Sequence, residues 1–503
     1  MSENVSASQE VAVLVNTSDG PSEDEDYSVF SDALRLYLTY LLGFVIILST
    51  LTATIYFPLI PMLSAHFSVS IQAINLTVTL YAVCQAISPP LFASLADCYG
   101  RRPVLLLLIG IYACASLGLA LNRSSYGLLL GMRAVQSIGG SATPAIAYGI
   151  VADVAVVSER GRMLGPMLSF CNGISAVGPV IGGAVAQSTG AYVWVFLALL
   201  AVAVVCFLLT GFTLPETARA IVGNGSRPAH GLSKMWTTSG WVKTNKATSK
   251  QVKEAPVPMP PNTYTRPKWT LKAAVHSLRI ILYSDAAAIL WMIASSYSVY
   301  YTFQVAIPVI YEEIYHYNDF QIGLTFLPGL SGMTIGGIVA GKLVDRNFAK
   351  IARRENIAPD RKKTEDLKEF PIEEARYRHI TYFIVLEVAL VIGYGWVIFR
   401  RLHPAIPLVI QFFVCAASTL LSHTASALLV DVFPNSSSTS YASGQVMRCG
   451  LSAVSAAVLD PLINAIGRGW YFTMFGLFVG LSGIVSVTIS RGKGMKWRQK
   501  RCH

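Results

Sequence analysis

Leu95-Ala96-Asp97-Cys98-Tyr99-Gly100-Arg101-Arg102 closes the apolar run 73–94, and Gly341-Lys342-Leu343-Val344-Asp345-Arg346 closes the apolar run 320–340. The two charged turns are separated by about half of the 503 residues. A helix–charged turn–helix unit that recurs once in each half implies two related helical bundles side by side, a parallel internal repeat.

Outward from these turns, apolar windows of about 20 residues can be marked, each long enough for a ~30 Å hydrocarbon core. They lie at 38–60, 73–95, 103–121, 126–150, 164–186 and 191–214, then at 284–311, 320–341, 380–399, 404–430, 441–463 and 470–490. The expected fold is an all-α integral membrane protein with twelve transmembrane helices in two six-helix bundles. The expected domains are an acidic N-terminal tail 1–37, a first bundle 38–214, a basic linker 215–283, a second bundle 284–490 and a basic tail 491–503. Composition agrees: 53% of residues are hydrophobic, 13% are charged and the mean hydropathy is +0.51. No soluble globular domain of this size tolerates that balance. Residues 1–34 are polar and acidic (Glu23-Asp24-Glu25-Asp26), unlike a signal peptide, so the first span is expected to stay in the protein.

The net charge of +11 reports topology rather than a nucleic-acid partner. Of the 39 Lys and Arg, Arg123, Arg400, Arg401 and Arg468 fall on one side, and Arg133 and Arg448 fall within spans. All the rest fall on the side that bears both termini, which by the positive-inside rule is the cytoplasm. The linker stretch 218–280 carries many Lys and Arg against one acid, Glu254, with the proline cluster Pro256-Val257-Pro258-Met259-Pro260-Pro261. That composition suits an extended segment near an anionic leaflet. Pro371 to Arg378 is expected to form a short amphipathic helix at the membrane surface, and the tail from Arg491 to touch headgroups. The eight cysteines show no metal or redox spacing and read as packing residues. No cofactor or metal is expected.

The motifs resemble the major facilitator superfamily. They are the Asp97–Arg102 turn, its echo at 341–346, and Arg133-Ala134-Val135-Gln136-Ser137-Ile138-Gly139-Gly140 in span four. Span five adds Gly165 and Gly178-Pro179-Val180-Ile181-Gly182-Gly183, similar to the glycine–proline motif of the proton antiporters, and Leu214-Pro215-Glu216-Thr217 follows span six. Asp431-Val432-Phe433-Pro434, the turn 436–440 and Val446-Met447-Arg448-Cys449 resemble the fungal twelve-span drug:proton antiporters, in the subgroup of quinidine-resistance-type and citrate exporters. Ala93, Cys98 and Ile174 depart from the family pattern. The resemblance covers about 38–490 and implies a transporter, not an enzyme.

Physically, Asp97 with Arg101 and Arg102 can form a latch that exists in one orientation of the bundles and breaks in the other. Gly341, Asp345 and Arg346 would be its counterpart, with Asp153, Glu159, Arg160 and Arg162 as counter-charges; the alternative is a set of topology determinants. Arg133 lies about two turns inside a span, where a guanidinium must face a partner or a wet cavity. Gln136 shares its face. The resemblance implies a role in proton coupling or anion binding, and Arg448 poses the same question in span eleven. Glu387, deep in a span, is either a proton carrier or a structural acid. His423, the one histidine inside a span, is expected to be a packing group. Gly178, Pro179, Gly182 and Gly183 supply a kink and close approach. Tyr297, Tyr300, Tyr301 and Gln304 give span seven an aromatic, weakly polar wall suited to amphipathic organics.

The expected function is a monomeric, proton-coupled plasma-membrane exporter of small organic molecules, working by alternating access on an organic anion or amphipathic cargo. Export of a small di- or tricarboxylate, not necessarily proton-coupled, is the alternative, and a non-transporting sensor a third. No phosphate-binding loop is present, so ATP is not expected to drive it.

Overall fold

The computed structural model describes residues 28–155, 160–236 except 226, 228 and 230, then 277–354, 370–433 and 437–502. Twelve helical passes are seen among them. Span one is Asp32–Ile55, a 3₁₀ turn Phe57–Leu59 and Ile60–Phe67; spans two and three are Ile71–Tyr99 and Arg101–Leu121. Span four is Tyr126–Ser141 with Thr143–Val154, and spans five and six are Arg160–Thr189 and Val193–Thr213. Spans seven to twelve are Ser284–Tyr315, Asp319–Arg354, Ile380–Phe399, Ala405–Val432, Ser437–Ile466 and Arg468–Cys502. Nine of the passes are long and apolar enough to cross a membrane by length and composition alone. Span four falls short because it is broken, its pieces being 16 and 12 residues long.

Both breaks come from proline. Pro58 and Pro61 lack an N–H and crowd the preceding turn, so span one opens at Tyr56–Leu59 and presents two aromatic residues inward. In span four Pro144 leaves the Gly140 carbonyl without its helical donor, and Thr143 Oγ1 supplies a replacement at 2.7 Å. Close helix approach then needs glycine: a Cβ on Gly139 would lie 2.7 Å from the Leu108 carbonyl.

The halves repeat one packing pattern. Span one packs on five, two on four, and three on four and six; span seven packs on eleven, eight on ten, and nine on ten and twelve. Across the halves span two meets span eleven and span five meets span eight, pairings that exchange under the same two-fold relation. The seam between the bundles is pinned at the end remote from the termini, the far end. Asn75 Nδ2 donates to Asp460 Oδ2 at 2.6 Å and Gln72 Nε2 to the Ala457 carbonyl at 3.1 Å. On the other side of the seam a Cβ on Gly183 would lie 2.2 Å from the Asp319 carbonyl, and one on Gly323 2.6 Å from that of Pro179. At the near end, which bears residue 28 and the tail, the described ion pairs each stay within one half.

Three expectations are corrected here. Span one starts at Asp32, capped by Ser31, not at 38. The helix Ile372–Arg376 does form, but its Ile372, Glu373 and Ala375 are buried beneath the ends of spans eight, ten and twelve, not laid on a membrane surface. Span twelve continues through the expected tail to Cys502 and buries Arg498 against Glu373. Residues of the linker also fold back, with Trp236 donating to the Gly211 carbonyl at 3.2 Å and Gly225 packing on Phe30.

Candidate functional site

Arg133 reaches the interior of the first bundle and is only 1% exposed. The span-one break places the Tyr56 ring 3.9 Å from its guanidinium carbon, and Tyr81 of span two covers the other side at 4.4 Å. Nη1 donates to Gln136 Oε1 at 2.8 Å, and Gln136 in turn donates to Ser116 Oγ at 2.9 Å. Nε has no hydrogen-bond acceptor, and among the described residues no carboxylate pairs with this cation. Two ring faces and one amide oxygen therefore stand in for a counter-ion, which suits a guanidinium better than an ammonium. Arg133 and Gln136 act together, as their spacing implied, but they are sealed in the bundle instead of opening on a cavity.

The second half differs. Arg448 is half-buried, stacks on the Tyr297 ring at 4.6 Å and donates to Gln445 Oε1. Tyr297 lies 5.6 Å from Tyr300 and 6.3 Å from Tyr301, and Tyr301 meets Phe57 at 5.9 Å, which stacks on Phe326 at 6.2 Å. This Phe57–Tyr301–Phe326 layer joins the bundles on the far side of Arg448. His423, expected as a packing group, is exposed, close enough to Arg448 to feel its charge, and beside Gly337 of span eight. Gln304 is fully buried, and among the described residues neither polar atom of its side chain has a hydrogen-bond partner. Glu387 is 2% exposed and lies away from both arginines, accepting from Ser418 of span ten. It sits in a polar pocket of the bundle with Cys415, whose sulfur and the Gln411 amide both approach Gly329.

At the near end Arg101 bridges two acids, Asp97 at 2.6 Å and Asp153 at 3.0 Å, with its guanidinium laid over Gly149. Gly100 turns the chain at φ +109°, and a Cβ there would strike Glu216. That carboxylate accepts from the backbone N–H groups of Arg101, Arg102, Thr217 and Ala218 at 2.9 to 3.3 Å, capping the positive start of span three. Arg102 is buried, donating to the Gly211 carbonyl at 2.6 Å beneath Trp236. The second-half echo behaves otherwise. Gly341 has open space around it and Arg346 is exposed. The acid at the end of span ten, Asp431, is instead met by Arg376 at 2.7 Å. Glu373 pairs with Arg498 at 3.2 Å; burial pushes its carboxyl above the usual range, more than Arg498 draws it down. Asp345 lies in the span-eight helix, Arg160 begins that of span five and Gly165 lies within it. Arg162 is exposed, while Glu159 lies outside the described residues. Gly178 packs on Leu51 and Thr54, Gly182 on the Ile55 carbonyl, and Pro179 and Gly183 meet span eight across the seam.

Comparison with known proteins fits this layout. The family model described as Major Facilitator Superfamily matches residues 42–357. The chain belongs to the major facilitator superfamily. This facilitator is 30% identical to the MFS-type transporter tstD of Talaromyces stipitatus, over 95% of this chain and 86% of that one. It is 29% identical to Citrate exporter 1 of Aspergillus niger (95% and 90%) and 28% to the MFS antiporter QDR2 of Candida albicans (91% and 88%). Solved structures share the fold. The xylose transporter XylE from E. coli superposes with a TM-score of 0.60 at 13% identity over 91% of this chain and 97% of that one. The human organic anion transporter MFSD10 (TETRAN) gives 0.52 at 17% over 91% and 100%. As a facilitator it is a multi-pass membrane transporter of small molecules, not an enzyme.

Sequence reasoning missed Tyr56, Tyr81, Glu216 as a cap, Asn75 with Asp460, and Arg376. Two signals were there: Glu216 stands in the motif that follows span six, and Gln445 stands three residues before Arg448 as Gln136 stands three after Arg133.

Proposed function

We propose that this facilitator is a proton-coupled exporter of small organic molecules (drugs, toxins or secondary metabolites), acting as a monomer in the plasma membrane with both termini in the cytoplasm. The two bundles, spans one to six and spans seven to twelve, rock about the layer between them, joined by the linker between spans six and seven. The observation that carries this reading is the pair of guanidinium groups at bilayer depth, Arg133 in one bundle and Arg448 in the other, on either side of a tyrosine wall. Likeness to Citrate exporter 1 supports the outward direction, and likeness to the MFS antiporter QDR2 supports exchange.

In this reading Arg133 and Gln136 set the coupling and Arg448, Tyr297, Tyr301 and Gln304 meet the cargo. Glu387 carries the proton. The near-end groups Asp97, Gly100, Arg101, Arg102 and Asp153, with Glu159, Arg160, Gly341, Asp345 and Arg346, tune the gate. Gly165, Gly178, Pro179, Gly182 and Gly183 allow the seam to close. A ~2 unit pH difference supplies ~2.7 kcal/mol per proton and ~100 mV a further ~2.3 kcal/mol. That sum supports a concentration ratio of about 10³–10⁴.

The test is substrate movement in sealed vesicles at fixed membrane potential. Dependence on an imposed pH gradient, lost with a protonophore, supports antiport. Movement that follows only the substrate gradient overturns proton coupling and leaves passive organic-acid release, the reading that likeness to a citrate exporter favours.

A further inference from the structure

The far end of the seam brings together one carboxylate and two amide oxygens that lack a donor. Gln72 and Asn75 stand three residues apart on span two, and Ala457 and Asp460 three apart on span eleven, so each pair shares a helix face. The faces are clamped twice, because Gln72 Nε2 donates to the Ala457 carbonyl and Asn75 Nδ2 to Asp460 Oδ2. Both amides thereby commit an N–H group to span eleven. Their oxygens, Gln72 Oε1 and Asn75 Oδ1, are buried and have no hydrogen-bond donor among the described residues; Asn75 is 0% exposed.

Asp460, half-buried, also lines a cavity of about 270 Å³ at this end, with Gln72, Glu313 of span seven and Arg468 of span twelve. The cavity rim meets water at Glu313 and Asn464, which are exposed. The other two charges here match each other, since Arg468 donates to Glu313. Tyr471 of span twelve is a further titratable neighbour. Among the described residues Asp460 has no ion-pair partner, and its side chain meets an amide instead.

Two effects then act in the same direction. Closing the seam takes the carboxylate from water against one N–H donor, a desolvation cost that the neutral acid escapes. The acid form also carries an O–H, the donor that buried Asn75 Oδ1 lacks. A carboxylic acid and a primary amide are complementary, each offering one donor beside one acceptor.

We propose that Asp460 is a proton-binding site facing the outside, whose acid form locks the outer seam by pairing with both polar atoms of the Asn75 amide. A metal ion fits this place less well. It would need the amide oxygen, whereas Asn75 turns its N–H to the carboxylate, and Arg468 adds a positive charge to the cavity. The site is separate from Glu387, which lies against Ser418 within the second bundle. The inference rests on the rocking of the two bundles but not on proton coupling.

The test uses full-length protein in nanodiscs, with neither cargo nor gradient. Spin labels on azide-bearing residues in place of Ser124 and His403, exposed at the far ends of opposite bundles, report the distance across the mouth. From about pH 8 to about pH 4, the ratio of closed to open mouth should rise about tenfold, the worth of one buried hydrogen bond. Asp460→Asn should abolish the response and Asp460→Glu should keep it; Asp460→Ser replaces the asparagine variant should that one not fold. Removing the neighbouring pair together, Glu313→Gln with Arg468→Gln, should also keep the response. A wild-type mouth indifferent to pH overturns the proposal, as does a full response in Asp460→Asn. Loss of the response in Asp460→Glu, or in the double variant, overturns it too. Closure when sodium chloride replaces choline chloride at about pH 8 would make this a metal site and overturn the proton reading. Cargo movement in vesicles that ignores a pH gradient sinks antiport and leaves this inference standing.

Discussion

At mid-depth in the first bundle a buried cation is wrapped in rings, Arg133 between Tyr56 and Tyr81; in the second a buried carboxyl, Glu387, is held by the hydroxyl of Ser418. The helices around them pack in the same order, so the difference is one of chemistry rather than architecture. Ring faces attract a cation and repel a carboxylate, which needs O–H or N–H donors instead. The near ends diverge in the same way. Spans four and ten each end in an acid that takes an arginine, Asp153 and Asp431. In the first half that arginine, Arg101, comes from the repeated turn itself, whereas in the second Arg376 comes from the short helix Ile372–Arg376 ahead of span nine. A duplicated scaffold thus keeps its packing pattern while its polar contacts are rebuilt half by half.

The sharpest way to break the comparison is Arg133→Lys. The ammonium keeps the charge but loses two ring contacts and its planar bond to Gln136. Transport should fall about 100-fold, ~3 kcal/mol, at unchanged membrane abundance. Glu387→Gln keeps the shape and the Ser418 contact, so binding should persist while the response to a pH gradient disappears. A mutant that still follows the gradient would make Glu387 a structural group.

Next in size is the seam. A side chain at Gly183 would strike the Asp319 carbonyl, so Gly183→Val should force spans five and eight apart. Labelling of a cysteine placed at the far end should speed up about tenfold, ~1.4 kcal/mol of conformational bias. Gly341→Val, in the repeated turn at the near end where nothing lies within 4 Å, should leave far-end labelling unchanged. An equal effect of both would mean that the seam is not set by this contact.

The latches follow. Asp153 and Arg101 side chains are each 12% exposed, so Asp153→Asn should cost about 1–3 kcal/mol in thermal stability. Asp97, 58% exposed, should cost clearly less. Asp431→Asn should resemble Asp153→Asn, and Asp345→Asn should not; the reverse ranking would restore the echo at 341–346 as the second latch.

The smallest effect is at Glu373. Its carboxyl titrates above its unfolded value because burial outweighs Arg498. A raised acid contributes stability below its unfolded pKa and loses it as pH rises through the folded one. The melting temperature of wild type relative to Glu373→Gln should therefore drop modestly as pH climbs through and above the carboxylate range. A difference that is flat with pH, or rises, would refute this.

Hydrophobic run lengths, the repeated turn and the side on which Lys and Arg fall depend on neighbours in the chain and on the bilayer. The sequence alone therefore determined twelve spans, their division into two halves and the arginine–glutamine pair of span four, which lies on one helix face. Tertiary structure decided what those side chains meet. Tyr56 and Tyr81 cover Arg133 from other spans, Asn75 reaches Asp460 across the seam, and Arg376 replaces the arginine that the repeat led one to seek at 346. Such partners are hundreds of residues apart or on different helices, and no periodicity records them. Whether a buried charge is caged, paired or left reachable is fixed only when the bundles pack.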